Sequence, residues 1–180
     1  MNKRLPKRKP LRLPYHDYGT AGAYFVTVCA LPGTEPLSEL IPSTVGAGAS
    51  TAPDLEYPIQ TLLTPAGMIV EKYLLSSEQI PGVTVDSYVI MPDHIHVIFI
   101  SEPQSEDEGR RGAAPYQAPA NAKLPHIISA FKRFANKDIG HNIFQRSYYD
   151  HVIRNRGDYE TRVRYIYENP TRRYYRLQST

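Results

Sequence analysis

The stretch from residue 83 to residue 100 restricts the fold more than any other part of the chain. Residues 83–91 are rich in β-branched and aromatic side chains, Pro92-Asp93 suits a tight turn, and residues 94–100 return as a second apolar run. Two strand-length runs joined by two turn residues make a β-hairpin.

The remaining segments can be fitted around that hairpin. Residues 24–30, bounded by Gly22 and by Pro32-Gly33, have the composition of another strand. From Thr64 the pattern turns helical, with Met68, Ile69, Tyr73 and Leu74 about one turn apart. Thr64 suits the N-cap, Pro65 the first helical position, and Pro81-Gly82 the stop. Residues 125–137 form an amphipathic helix, with Ile127, Ile128, Phe131 and Phe134 inward and Lys132, Arg133 and Lys137 toward solvent. Residues 147–153 suit a short strand and Arg154-Asn155-Arg156-Gly157 a turn. Asp158 then caps a last helix that ends at Asn169, before Pro170. The order strand, helix, strand, strand, helix, strand, helix predicts an α+β fold. It is that of a ferredoxin-like or RNA-recognition-like antiparallel sheet with helices packed on one face.

Residues near 32–64 and 102–123 are Pro-, Gly- and Ala-rich with no clear period, and are expected to be flexible insertions. A chain of 180 residues with 41% hydrophobic residues is of a size for one domain over 1–180. Lys and Arg outnumber Asp and Glu by 21 to 18, but the excess is concentrated. The arm at 1–14 carries Lys3, Arg4, Lys7, Arg8, Lys9 and Arg12, with no acid before Asp17, and suits a polyanion. Cys29, the single cysteine, has no intrachain partner, and no apolar run reaches membrane-spanning length, so a cytoplasmic protein is expected. Fourteen Tyr and five Phe among basic residues are the kind of material on which single-strand binders stack bases.

His94 and His96 stand at i and i+2 on a predicted strand, so both imidazoles point to one face and can share a metal ion. On the last helix, at roughly 100° per residue, Tyr159, Val163 and Ile166 form one stripe while Tyr165 and Asn169 lie together off it. Tyr165 is thereby free to act as a nucleophile beside a carboxamide oxygen, and Tyr167 is the nearest competitor. An ordinary phenol ionises near a pH of about 10, so attack on phosphorus needs a base or a positive charge close by. A divalent ion on the two histidines would meet that need and polarise a phosphate.

The stretches Met91-Pro92-Asp93-His94-Ile95-His96 and Tyr165-Ile166-Tyr167-Glu168-Asn169-Pro170 closely resemble the REP-associated tyrosine transposases of the HUH single-strand group. Residues 18–29, Phe131-Lys132 and 145–155 resemble the same family, so that the likeness covers nearly the whole chain outside the two insertions. The resemblance implies a ferredoxin-like transposase domain that uses Mg or Mn. Its substrate would be single-stranded DNA next to hairpins of repetitive extragenic palindromes (REP), cut through a 5′-phosphotyrosine intermediate. By position it assigns His94 and His96 as metal ligands, Tyr165 as nucleophile and Asn169 as the residue that completes the metal site. Asp93 departs from the Asn usual in the family; it either brings a carboxylate near the ion or, as expected here, serves the turn. Phe144 replaces a common Trp. The candidate DNA contacts are the N-terminal arm, Lys132, Arg133 and Lys137, and Arg154, Arg156, Arg162, Arg164, Arg172 and Arg173. The protein would act as a monomer or a homodimer.

Two other readings fit the same residues. One is a non-catalytic hairpin DNA- or RNA-binding protein derived from such a transposase; the other is a metal nuclease in which water attacks in place of Tyr165.

Overall fold

The computed structural model describes residues 22–43, 58–102 and 123–179. The N-terminal arm and the middles of both insertions lie outside the described residues. Six strands and three helices follow in the order β1 (Gly22–Cys29), β2 (Ser38–Pro42), β3 (Ile59–Leu63), α1 (Pro65–Leu75), β4 (Val83–Ile90), β5 (His94–Ser101), α2 (Lys123–Ile139), β6 (Tyr149–Ile153) and α3 (Arg156–Gln178). A short 3-10 turn, Ser76–Gln79, extends α1.

Four strands form one sheet in the order β4-β5-β1-β6, and each neighbouring pair is antiparallel. The expected β4–β5 hairpin is present, and β1 enters between β5 and β6, so each helical crossover skips a strand, as in the split βαβ arrangement of ferredoxin-like folds. Tyr24, Phe25, Val26 and Val28 of β1 are buried because the strand has neighbours on both edges and helices over both faces.

The antiparallel α+β sheet is as the sequence implies, but the helices divide between its faces. Val70 and Leu74 of α1 and Leu124, Ile127, Ile128 and Phe131 of α2 pack with Tyr24, Val26, Val28, Ile95, Val97 and Phe99. The alternate residues Phe25 and Ile98 face the other way and meet Ile166 of α3. Asp86 is an extra residue in β4, lying between the pairs Val85↔Phe99 and Ser87↔Ile98. Beyond this bulge the facing inverts: Val83 and Val85 join the first core, whereas Val89 and Met91 join the second, under α3.

Other differences have local causes. Part of the first predicted insertion is ordered, because β2 and β3 pair with each other over 38–42 and 59–63. Their ribbon is tied to the main body where the Leu37 amide donates to the Pro92 carbonyl. Thr64 caps α1 as expected, accepting from the Gly67 amide at 3.1 Å. A Cβ on Gly67 would lie 1.9 Å from the Leu37 carbonyl oxygen, so only glycine lets α1 come this close. Met68 faces solvent, and Gly67, Val70 and Leu74 make the buried side of α1. In α2, Phe134 is 44% exposed, stacked on Tyr73, and Ala135 takes the inward position. Helix α3 begins at Asn155, whose side chain accepts from the Asp158 amide, so Asp158 lies within the first turn instead of capping it. The same helix continues through Pro170 to Gln178, well past the expected end at Asn169. Pro170 lacks an N–H for the Ile166 carbonyl, a lost bond that does not stop the helix here. Among the described residues, no helix is long and apolar enough to cross a membrane.

Candidate active site

The site lies on the face of the sheet that α3 covers. Strand alternation puts His94 and His96 of β5 on this face, with ring centroids 4.5 Å apart. In register, Thr27 of β1 stands opposite His96, and its hydroxyl is 2.9 Å from His96 Nδ1. Phe25, two residues back on β1, stacks on the His96 ring at 5.2 Å. Tyr165 of α3 closes the cluster, its ring edge-on to His96 at 5.1 Å and to Phe25 at 6.0 Å. Tyr165 is 38% exposed, so its ring rests on the cluster while remaining open to solvent. Tyr167 lies two positions on, about 200° round the helix, so the two tyrosines leave α3 in different directions. Asn169, one turn beyond Tyr165, is 8% exposed.

The protonation states follow from the partners. Burial, and next the neighbouring His94, push His96 down to about 3, so its imidazole is neutral at neutral pH. His96 Nε2 is buried and has no hydrogen-bond partner. A proton on Nε2 would be a buried, unpaired donor, which costs more than an unused lone pair. The proton therefore sits on Nδ1 and is donated to Thr27, leaving the Nε2 lone pair available. His94 Nδ1 lies 2.7 Å from Asp93 Oδ1, and because a carboxylate only accepts, this nitrogen is the donor. Burial alone would raise the Asp93 carboxyl, but hydrogen bonds from His94 and Arg173 hold it below the usual carboxylate range.

Each imidazole is thus oriented through Nδ1 by an oxygen, the arrangement that metal-ligating histidines commonly show. An orphaned, buried Nε2 beside a second imidazole fits a divalent ion. Among the described residues no group of three His, Cys, Asp or Glu side chains could hold one, so a third protein donor has to be of another type, such as the Asn169 amide oxygen.

The predicted DNA contacts separate into distinct places. Arg162 borders the cluster: its guanidinium lies 5.5 Å over the Phe25 ring and its Nε donates to Asp158 at 3.2 Å. Asp158 in turn is 2.7 Å from His151 Nε2. Arg154 is exposed at the end of β6, and Arg156 is exposed in a pair with Glu160 one turn on. Lys132 does not point to solvent as expected. Its ammonium donates to the carbonyls of Gln145 and Ser147, and burial lowers it to about 8. Arg133 is exposed on α2, which packs on the far side of the sheet from Tyr165; it lines a shallow groove with Asn136, Lys137 and His141. Arg173 is engaged with Asp93 at 2.9 Å.

Sequence reasoning missed Thr27 and Phe25, and of its two readings of Asp93 it favoured the turn over a carboxylate near the histidines. The turn is held by its backbone, with the Ala30 amide on the Asp93 carbonyl, the Leu37 amide on the Pro92 carbonyl and the Met91 amide on the His94 carbonyl. The Asp93 carboxylate instead joins His94 to Arg173.

No family model matches the chain. A Haemophilus influenzae protein of uncharacterized function is 25% identical over 181 residues, covering 94% of this chain and 91% of that protein. A second H. influenzae protein, provisionally named as a REP-associated tyrosine transposase, is 30% identical over 103 residues; the match spans 57% of this chain and 57% of that protein. The solved structure of a REP-associated tyrosine transposase bound to a REP hairpin superimposes with a TM-score of 0.56 at 19% identity. It covers 86% of this chain and 69% of the other. The chain is thus similar in sequence, over somewhat more than half its length, to one provisionally named REP-associated tyrosine transposase, and over most of its length it has the fold of another.

Proposed function

We propose that the chain is a metal-dependent tyrosine transposase of the HUH endonuclease kind, which cleaves and rejoins single-stranded DNA beside REP-type hairpins through Tyr165. The observation that carries this reading is the Tyr165 ring, set edge-on 5.1 Å from a neutral, buried His96 whose Nε2 has no partner. Structural likeness to a protein bound to a REP hairpin supports DNA of that class as the partner.

In this scheme the Tyr165 oxygen forms a bond to phosphorus as the bond from phosphorus to the 3′ oxygen breaks. The phenol loses its proton, and the departing 3′ oxygen gains one. The product is a 5′-phosphotyrosine, and attack by a 3′-hydroxyl reverses the step without ATP. His94 and His96, with Asn169, would hold a Mg or Mn ion, which supplies positive charge at the scissile phosphate. Thr27 and Asp93 keep the two imidazoles aimed. Phe25 and Ile166 fix the height of Tyr165 above the sheet. Arg162, restrained by Asp158, brings a permanent cation to the same face for a phosphate oxygen.

The test is incubation with labelled single-stranded DNA carrying REP-type hairpins, in Mn or Mg, followed by denaturing electrophoresis. A slow, protease-sensitive adduct formed by the wild type and absent in Tyr165→Phe is expected. Cleavage with no adduct would favour attack by water, and hairpin binding with neither would favour the non-catalytic binder.

A further inference from the structure

We infer that Asp93 is a positioning residue that couples the histidine strand to the nucleophile helix, aiming His94 with one carboxylate oxygen and anchoring α3 with the other. The inference rests on the reading of His94 as a metal ligand. Its basis is the division of labour within a single side chain. Oδ1 accepts from His94 Nδ1 at 2.7 Å, and Oδ2 accepts from Arg173 Nη2 at 2.9 Å. Arg173 lies two turns beyond Tyr165 on the same helix, in the part that continues past Pro170.

Three observations separate this role from that of a turn residue or a surface ion pair. The turn is spanned by the backbone bond from the Met91 amide to the His94 carbonyl, and the Pro92 and Asp93 carbonyls accept from Leu37 and Ala30, so none of these bonds uses the carboxylate. The His94 side chain is mostly covered, and the carboxylate fixes which of its nitrogens carries the proton, leaving Nε2 as the lone-pair donor. Arg173 Nε is buried without a partner, so this guanidinium is already partly desolvated and Asp93 is its carboxylate contact. An asparagine in the same place has one oxygen, which can serve His94 or Arg173 but cannot serve both in this way. A carboxylate lets this chain fix the ligand and the helix together.

The experiment compares wild type, Asp93→Ala, Asp93→Asn and Arg173→Gln in the adduct assay above and in two further assays. In the metal-free protein, nitrogen-15 NMR of the His94 ring reports its tautomer. In the second further assay, Mn affinity is measured by electron paramagnetic resonance. Asp93→Ala should shift His94 away from the Nδ1–H form and weaken Mn binding by roughly 10- to 100-fold. Asp93→Asn, which preserves size and one acceptor, should recover most of the Nδ1–H form. Arg173→Gln should leave the tautomer unchanged, bind Mn within about threefold of wild type, and slow adduct formation. An unchanged tautomer and unchanged Mn affinity in Asp93→Ala would overturn the inference, as would equal effects of Asp93→Ala and Arg173→Gln in both further assays. Wild-type protein with no Mn affinity would overturn the metal reading itself, a result distinguishable because the tautomer is read without metal.

Discussion

At the scale of single residues, the centre of the site is an imidazole whose two nitrogens have been given different tasks. The Thr27 hydroxyl accepts the hydrogen bond from His96 Nδ1 and leaves Nε2 as a buried lone pair. Thr27→Val removes the acceptor while keeping the shape of the side chain, so the buried ring must either strand a proton or move it to Nε2. We expect Mn affinity to fall roughly 10-fold while the cooperative unfolding transition persists. Thr27→Ser, which retains a hydroxyl, should stay near wild type in the same titration. Equal affinity in Val and Ser variants would remove Thr27 from the site. The two histidines were legible because strand alternation is a property of the local sequence, and Tyr165 with Asn169 because helical angles are too. Thr27, Phe25 and the role of Asp93 were not, since they depend on pairings such as Thr27↔His96 and Asp93 with Arg173, which join residues distant in the chain.

At the scale of elements, α3 is seated by a few polar contacts at its two ends and an apolar stripe between them. The predicted stripe of Tyr159, Val163 and Ile166 is the one that packs on Phe25, Val89, Met91 and Ile98. The helix limits were misread for physical reasons. Asn155 and Asp158 can both cap, and only the extended backbone at Asn155 decides between them; Pro170 resembles a stop, but packing carries the helix through it. The β4 bulge supplies the first anchor, because it presents Asp86, whose carboxylate accepts from the Tyr159 hydroxyl at 2.8 Å. Burial, and then the bond to Asp86, push the Tyr159 phenol up to about 12. A group whose ionisation is delayed by folding stabilises the fold fully below its unfolded value and loses that contribution as pH rises through the folded one. Tyr159→Phe should therefore cost roughly 0.5–1 kcal/mol in urea denaturation near neutral pH, and the difference from wild type should shrink between about pH 10 and pH 12. A gap that is constant across that window would mean that the Tyr159–Asp86 bond contributes nothing.

At the scale of the whole molecule, the sheet separates a large core from a small one, and the two halves of the site depend on them unequally. His94 and His96 belong to β5, whose opposite residues Ile95, Val97 and Phe99 are fixed in the core with α1 and α2. Tyr165 belongs to α3, which rests on the smaller cluster. The general α+β plan could be read from the sequence because it needs only the kind and order of elements. The allocation of helices to faces could not, because it turns on which residues of β1 and β5 face α3 and on the one-residue bulge in β4. This division predicts that α3, with the proposed nucleophile Tyr165, can be loosened while the histidine strand stays in place. Ile166→Ala removes a fully buried side chain from the small cluster, a change worth about 2–5 kcal/mol, and should raise hydrogen exchange selectively at amides of α3. The amides of β1 and β5 should keep their protection, and Mn affinity should fall less than adduct formation, because two of the three proposed ligands stay on the sheet. Ile127→Ala makes the same chemical change in the large core and should lower protection in β1, β5 and α2 together. If both variants loosened all elements equally, the sheet and α3 would form a single cooperative unit, and Tyr165 would be as rigidly held as the histidines.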